Sequence, residues 1–588
     1  MRIKSHHLKY KHLIFLFFYS LFINAQKTIN TDFENRTDTS LINSIYYIPG
    51  ENVFTPKFHA LNAGLNQFSI DPLLMDYGWC TKLFSSNYSN VKYVKDSIPN
   101  LLAKYDYGMD LAHWFSINFY RPVGKSDVFL KFNRNYSGKL VKEFPDDPPE
   151  IESRNFILGS KIHFSESYSM TLGYFNNHTV KLESAGVLSG SKYTKVDEIS
   201  SFTVDPNLSS AENNVFNNGL ILKNQIKLYS KQDSTFKDQF KFGVNLETRI
   251  EEDRLSFSMN KADIDSGYFS SIYLDSTETF DSIGFKKIII KPSLYWLSGD
   301  TLRGLEIGYD KRIYDYAILT RSNIFFNSHY RKSNVNYILN GSYGLESYWK
   351  SNYSFLFKLH KTYLNKNDFQ FSLSLKRETP EFLFIHYSSN HFKWDTQFSS
   401  VQKQSLKLKY TFDEINTTIQ GEVNHLLNYI YFNELSDLKQ VDASVLISKI
   451  KFKNVISFKQ FKLTSGVVGQ VANSDLIRIP NFYTRNSLAF NFFVRKVPFS
   501  LGSVFTYFTS YKGLGYNPAI RHFNLGTTGV GGFPVLDLFF VVRVGPADLY
   551  VRYDNLFFES ENMDMFLGSN FPIAKPFLHF GLKWLLKK

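Results

Sequence analysis

The chain has 588 residues, of which 43% are hydrophobic and 17% aromatic, with a formal net charge of +13. Its mean hydropathy of −0.24 excludes a bundle of membrane-spanning helices, because each such helix needs about 20 mostly apolar residues in a row. The single cysteine, Cys80, excludes an internal disulfide framework and a zinc site built on cysteines.

Residues 1–25 have the pattern of a secretory signal peptide. An apolar stretch of eleven residues at 13–23 is too short to cross a bilayer as a helix, and it is followed by the small Ala25. The basic residues before it are Arg2, Lys4, Lys9 and Lys11. We predict cleavage after Ala25 and export of the mature chain to the cell outer membrane. An uncleaved helical anchor is the alternative.

Residues 26–104 form a second predicted segment, in which polar turns such as 49–52 interrupt a weak apolar alternation. Three interpretations stay open, namely a periplasmic extension, a small plug, or an irregular first part of the strand-rich region that begins at residue 105. About 80 residues are few for the plug domain of a TonB-dependent transporter, and no energy-coupling box is evident near Gln26.

From residue 105 to 588 apolar and polar residues alternate with a period of two. Around 404–412, for example, Leu406, Leu408 and Tyr410 lie opposite Lys407 and Lys409. This alternation is typical of β-strands with one apolar and one polar face, and runs of roughly ten residues suit tilted strands that cross a bilayer. In hydrocarbon every backbone polar group must be paired, so such strands have to close into a barrel.

The connections between the predicted strands are of two kinds. Short turns are expected at 165–167, 232–236 and 496–498, and long polar segments at 182–216, 252–283, 510–533 and 557–575. Short periplasmic turns and long external loops are the asymmetry of outer-membrane barrels. We count about 22 candidate segments, but those near 310–335 and 380–400 alternate poorly. We therefore predict an all-β, transmembrane, antiparallel β-barrel of about 18 strands, within a range of 16–22.

The polar positions opposite the apolar ones predict the lining of the lumen, and most of the charged ones are basic. The predicted lining residues are Lys161, His163, Lys223, Lys227, Lys241, Glu247, Arg249, Lys407, Lys409, Arg552, Asp554 and Lys583. Because rings of one charge bias ion passage, we hypothesise a mild anion preference. The alternative is that many of these cations pair with carboxylates that the sequence cannot place.

The end of the chain carries a family resemblance. Three alternating runs, 535–544, 548–555 and 577–584, are separated by Gly545-Pro546 and by a polar loop. Together with Gly531-Gly532-Phe533-Pro534 and the closing Phe580-Gly581-Leu582-Lys583-Trp584, they resemble the putative porin family of the Bacteroidota. Four residues follow Trp584, whereas many barrels end on an aromatic residue. The resemblance implies an outer-membrane barrel for passive diffusion.

We find no motif for chemistry. The sequence lacks His-Glu-x-x-His, a phosphate loop and a Gly-x-Ser-x-Gly elbow, so we predict no catalytic, cofactor-binding or metal site and no enzyme activity. The expected partners are outer-membrane lipid, small hydrophilic solutes and the barrel-insertion machinery, with a homo-oligomer as an option and no nucleic acid. The rival hypotheses are a non-conducting barrel in a secretion or surface complex and, less favoured, a barrel enzyme.

Overall fold

The computed structural model describes residues 100–587 apart from 109–112, 138–150, 188–193, 196–201, 204–205, 232–239, 299–302, 316–318, 333, 364–366, 558–565 and 573–575. The predicted signal peptide and almost all of the predicted segment 26–104 lie outside the described residues. The first described strand begins at Asn100, just before the predicted start of the barrel at residue 105.

The fold is one antiparallel sheet of 22 strands that closes on itself. Its strands are β1 (Asn100–Gly108), β2 (His113–Val123), β3 (Ser126–Ser137), β4 (Ile151–His163), β5 (Tyr168–Leu182), β6 (Glu212–Lys231), β7 (Phe240–Met259), β8 (Thr279–Ser298), β9 (Arg303–Tyr314), β10 (Thr320–Lys332), β11 (Val335–Gly344), β12 (Tyr353–Thr362), β13 (Asp368–Glu378), β14 (Val401–Phe412), β15 (Thr417–Leu427), β16 (Val445–Phe458), β17 (Phe461–Ala472), β18 (Phe482–Val494), β19 (Val497–Phe508), β20 (Pro534–Val544), β21 (Ala547–Asp554) and β22 (Phe577–Lys587). Each strand pairs with the next, and β1 closes the ring by pairing with β22 from Asn100↔Lys587 to Gly108↔His579.

The strand number corrects the prediction of about 18. The poorly alternating region 310–335 contains parts of the paired strands β9, β10 and β11, whereas 380–400 contributes no strand to the barrel. Three of the four residues after Trp584 also matter for closure, because β22 continues through Leu585 and Leu586 to Lys587 and pairs with the start of β1.

One end of the barrel, the turn end, has the tight connections, including Arg495-Lys496 and Gly545-Pro546. Gly545 has a φ of +58°, a conformation that favours glycine and suits a two-residue hairpin turn. The opposite end, the loop end, has the long connections, which contain α1 (Lys261–Asp265), α2 (Phe382–Ile385) and a 3-10 turn (Ser347–Trp349). It also has strand pairs His386–Ser388 with Lys393–Asp395, Ile430–Phe432 with Leu438–Gln440, and Tyr511–Asn517 with His522–Val530. Thr194–Lys195 with Phe202–Thr203, and Phe566–Gly568 with Phe571–Pro572, complete the small hairpins.

The two faces of the sheet differ as the alternation predicts. Ile520, at the tip of the hairpin after β19, packs against Val215 of β6, Leu255 of β7 and Val401 of β14. β14 lies on a different side of the ring from β6 and β7. Side chains from both sides can contact the same residue only if they point into the ring, so the odd-numbered residues at this end of these strands face inward. Leu446, on the even-numbered face of β16, is exposed, as are Ile450 and Phe452 of the same strand. An exposed apolar outer face around a closed barrel is the surface that a bilayer solvates.

Three strands are much taller than a membrane requires. β6, β7 and β8 have 20 residues each, whereas about 9–11 span a bilayer. The run 251–254 in this extension carries charges on both faces, because Arg254 pairs with Glu252 on one face and Lys287 with Glu251 on the other. Because this run has no apolar face, it lacks the apolar–polar alternation that predicts a strand, and the sequence pattern therefore indicates a loop. The expectation of one long connection over 252–283 is wrong at both ends, because β7 continues to Met259 and β8 begins at Thr279.

No helix among the described residues is long and apolar enough to cross a membrane.

Candidate transport lumen and external cap

The loops at the loop end pack together over the mouth of the barrel. The hairpin 511–530 starts between β19 and β20 and reaches nearly across the ring to β6, where Asn213 Nδ2 donates to Pro518 O at 2.9 Å. Loops from other parts of the ring meet it there. Tyr387 OH donates to Ala519 O at 3.3 Å, and Asn517 Nδ2 donates to Ser436 Oγ at 2.9 Å. We call this assembly the cap, formed by 183–187, 206–211, 260–278, 379–400, 428–444 and 509–533.

The cap has its own apolar core. Ala519 and Ile520 at the hairpin tip are fully buried, and the core around Ile520 includes Phe384 and Phe432 from two other loops. The ring of His522 lies between those two phenylalanines, with centroid distances of 5.2 and 5.1 Å. Burial, together with the charge of Arg521, lowers the pKa of His522 to about 3. This imidazole is therefore neutral near pH 7.

Below the cap, the inner wall formed by β7 to β9 has paired charges. The Arg249 guanidinium lies 2.5 Å from Glu247 Oε1, and Lys287 Nζ lies 2.7 Å from Glu251 Oε2. Other contacts on this wall are Lys287 to Asp253 at 3.4 Å and Arg312 to Asp310 at 2.9 Å. Cations and carboxylates of the same strand and of neighbouring strands largely compensate one another here. We call the inner face of β7 to β9 the paired wall, and it supports the alternative in which lining cations are paired.

A second inner network joins the last strands to the first one. His579 of β22 contacts Asp106 of β1 through Nδ1 and Asp554 of β21 through Nε2, both at 3.0 Å. The side chains of these three residues are at most 7% exposed. Since a carboxylate can only accept, both ring nitrogens have to donate, as they do in the imidazolium form.

Arginine and tyrosine complete this network, which we call the seam network. Arg552 lies between Asp554 and Asp537, at 3.0 Å from the latter, and Tyr550 OH donates to Asp106. The network thus links β20, β21, β22 and β1 on the inner side, where the ring closes. Its position in the strands makes it a structural link of the barrel wall.

The third inner feature is a wall of lysines on β14 to β17. The inward positions of these four fully described strands carry Lys403, Lys407, Lys409, Lys449, Lys451, Lys453 and Lys462. Glu422 of β15 is their single inward carboxylate, and it lies 3.8 Å from Lys407 Nζ and 3.7 Å from Lys449 Nζ. We call this set the lysine wall. Its charge is strongly positive, in contrast to the paired wall.

All of the predicted lining residues occupy inward positions in the strand registers, though most lie far from one another. The structure brings together Glu247 with Arg249, and Arg552 with Asp554. His163 lies 3.6 Å from Asp127. Lys407 and Lys409 belong to the lysine wall. Lys161, Lys223, Lys227, Lys241 and Lys583 lie on β4, β6, β7 and β22.

Sequence reasoning missed several inner residues. Lys449, Lys451 and Lys453 follow one another at intervals of two, a signal that could have placed them on the same face as Lys407. Asp106 and its contacts could not have been found this way, because it lies 473 residues from His579. In the described part of the chain no group of three or more His, Cys, Asp or Glu could hold a metal ion.

The comparisons with known proteins agree with this geometry. The model of the putative porin family matches residues 100–586. The chain belongs to this family. A Bacteroidota origin stays a prediction. A search of curated proteins finds no match.

Solved structures share the fold of this porin-family chain at low sequence identity. The FrpB iron transporter from Neisseria meningitidis is 10% identical, with a TM-score of 0.54, and 84% of this chain covers 82% of that one. The copper transporter OprC is also 10% identical, with a TM-score of 0.56 and coverages of 83% and 80%. The ferric enterobactin receptor PfeA from Pseudomonas aeruginosa, in a mutant form, is 9% identical, with a TM-score of 0.54 and coverages of 83% and 80%. These likenesses establish the barrel architecture.

Proposed function

We propose that this chain is an outer-membrane porin that lets small hydrophilic solutes diffuse down their gradients, with a preference for anions. The observation that carries the proposal is the inner face of the closed barrel, where a polar wall with seven inward lysines and one glutamate lines β14 to β17. The exposed apolar outer face supports placement in a bilayer, with the loop end outside the cell.

The mechanism needs no reacting group, and we propose no enzyme activity. Solutes are selected by the width of the passage and by its lining charge. On the paired wall, contacts such as Lys287 with Glu251 leave little net field. The lysine wall then sets the sign of the selectivity, because inward Lys451 and Lys453 are exposed within the lumen.

Planar bilayers test this function. The folded mature chain should give stable current steps, and a salt gradient should give a reversal potential with the sign of anion preference. Clear cation preference would contradict the anion part of the proposal. Silence from a heat-modifiable, folded protein would contradict diffusion, and a stable co-purifying partner would then favour the non-conducting interaction barrel.

The cap favours a second candidate, in which the passage is gated from the outside. The hairpin 511–530 crosses the mouth and buries Ile520 completely. If the cap gates the lumen, Ile520→Ser should loosen it and increase the open fraction of the channel. Leu435→Ser is a matched control, because Leu435 belongs to the same cap but is 79% exposed. Equal open fractions in the wild type and the Ile520 variant would exclude gating by this hairpin.

A further inference from the structure

We propose that the lysine wall is a binding site for small multivalent oxyanions, such as phosphate and phosphorylated sugars. This inference deepens the proposed function, on which its transport role rests, by naming a solute class and the residues that recognise it. It concerns one side of the lumen, β14 to β17, rather than the charge of the whole lining.

The first argument is the imbalance of charge. Seven inward lysines against one inward glutamate leave this wall with a formal charge of +6. Glu422 is already shared, since Lys407, Lys449 and the amide of Asn424 all lie around it, the last at 3.0 Å. This one carboxylate of the wall therefore cannot balance the lysines further towards the turn end. Asp368 of the neighbouring β13 acts on Lys409 there, but it also binds His360 and Thr362. On the paired wall, by contrast, Glu251 and Asp253 both face Lys287.

The second argument is the spacing of the ammonium groups. Lys449, Lys451 and Lys453 occupy alternate positions of β16, so their Cα atoms step along the strand by about 6.7 Å. Lys409 of β14 and Lys451 of β16 are both paired with Gln420 of the strand between them. The Cα atoms of Lys409 and Lys451 therefore lie on either side of Gln420, about 10 Å from each other. Long lysine side chains can converge over such distances on one polyatomic anion.

The electrostatics agree with this spacing. The charges of Lys407, Lys409, Lys449 and Lys453 all act on the Lys451 ammonium. Like charges held together on a rigid sheet repel one another. An anion with two or more charges relieves this repulsion at several lysines at once, whereas a monovalent anion relieves less of it. This difference makes the site selective for multivalent anions.

The arrangement of the lysines also suits the passage of anions along the wall rather than tight binding at one place. Lys403 lies near the loop end and Lys453 and Lys462 near the turn end, so the lysines extend over the height of the wall. Conduction requires sites that attract an ion yet release it to the next one. Lysine acts on a phosphate as a mobile point charge, which meets this requirement.

Equilibrium dialysis of the folded, detergent-solubilised chain tests binding independently of conduction. The probes are inorganic phosphate and glucose 6-phosphate near neutral pH, with acetate as the monovalent control. The wild type should bind inorganic phosphate and glucose 6-phosphate. It should bind acetate much more weakly than either. Lys451→Gln combined with Lys453→Gln should weaken phosphate binding at least about tenfold, because one charge pair at close range in water is worth on the order of a fivefold change.

Two further variants separate a site from general charge. Lys241→Gln removes an inward lysine on β7, away from the lysine wall, and should leave phosphate affinity within about twofold. Gln420→Lys places a cation between Lys409 and Lys451 and should tighten binding. The second variant also keeps the test decisive if the double glutamine variant does not fold.

The outcomes distinguish this inference from the proposed function. Phosphate binding that is equal in the wild type, the double glutamine variant and Gln420→Lys would overturn the lysine-wall site, as would an equal loss in Lys241→Gln. A conducting channel without phosphate binding would overturn the site and leave the porin standing. Binding that depends on Lys451 and Lys453 in a silent barrel would support the site and refute passive diffusion.

Discussion

Removal of His579 should weaken the barrel where its ends meet. In the wild type the imidazole ring bridges Asp106 and Asp554 with two contacts of 3.0 Å, and only 3% of its side chain is exposed. His579→Gln cannot supply the cation, so the three carboxylates of the seam network lose the positive charge that bridges Asp106 and Asp554, while Arg552 still contacts Asp554 and Asp537. Removing one partner of a buried ion pair typically costs about 3–5 kcal/mol.

The size of this loss should depend on Asp106. Once Asp106→Asn has removed one of the two carboxylates, the same histidine substitution leaves less uncompensated charge, so the two effects should not add. Residues in one hydrogen-bonded network usually show coupling of about 0.5–3 kcal/mol. A double-mutant cycle should therefore give a coupling in this range between β1 and β22.

The assay is unfolding in urea, followed by tryptophan fluorescence and by heat modifiability on gels. His579→Gln should lower the urea midpoint strongly and Asp106→Asn less. His425→Gln is the matched control, because His425 is a partly exposed residue of β15, and such substitutions usually stay within about 0.5 kcal/mol. If His579→Gln unfolds at the same urea concentration as this control, the seam network does not stabilise closure.

Three other changes have defined outcomes. Acid should loosen the cap, because the lowered pKa of His522 means that an opened cap binds the proton more readily. At about pH 5 this should lower the free energy of opening the cap by about 2 kcal/mol, if the opened state has an ordinary histidine pKa of about 6.5. Cap amides should therefore exchange faster than near pH 7. His522→Phe should reduce this difference, and the part that remains should come from His391 of the cap, since burial lowers its pKa as well. Glu422→Gln should raise the anion-to-cation permeability ratio by removing the carboxylate of the lysine wall, and an unchanged reversal potential would contradict that role. Gly581→Ala should destabilise the fold by about 1–3 kcal/mol through overpacking and so lower the urea midpoint, because the new Cβ would overlap the ring of Tyr550; a midpoint like the wild type would show that Tyr550 can move at no cost.

Much of the architecture follows from local sequence pattern. A period of two assigns each strand residue to a face, and a bilayer permits such strands only in a closed ring. This is why the inward positions of Lys407 and Arg249 could be predicted without knowing their neighbours. The same logic failed at 251–254, because charges on both faces of β7 leave this run without an apolar face.

The strand number, the cap and the partners of the charges were decided only by the tertiary structure. Alternation shows that Asp554 faces inward. It does not show that Asp554 contacts both Arg552 of the same strand and His579 of the neighbouring strand. Nor does it show that Ile520, which lies in a polar connection of the sequence, would be buried across the mouth against Val215. The contact of Ile520 with Val215 joins residues hundreds of positions apart. Which residues meet depends on strand register and ring closure, and these are properties of the whole sheet rather than of any single run.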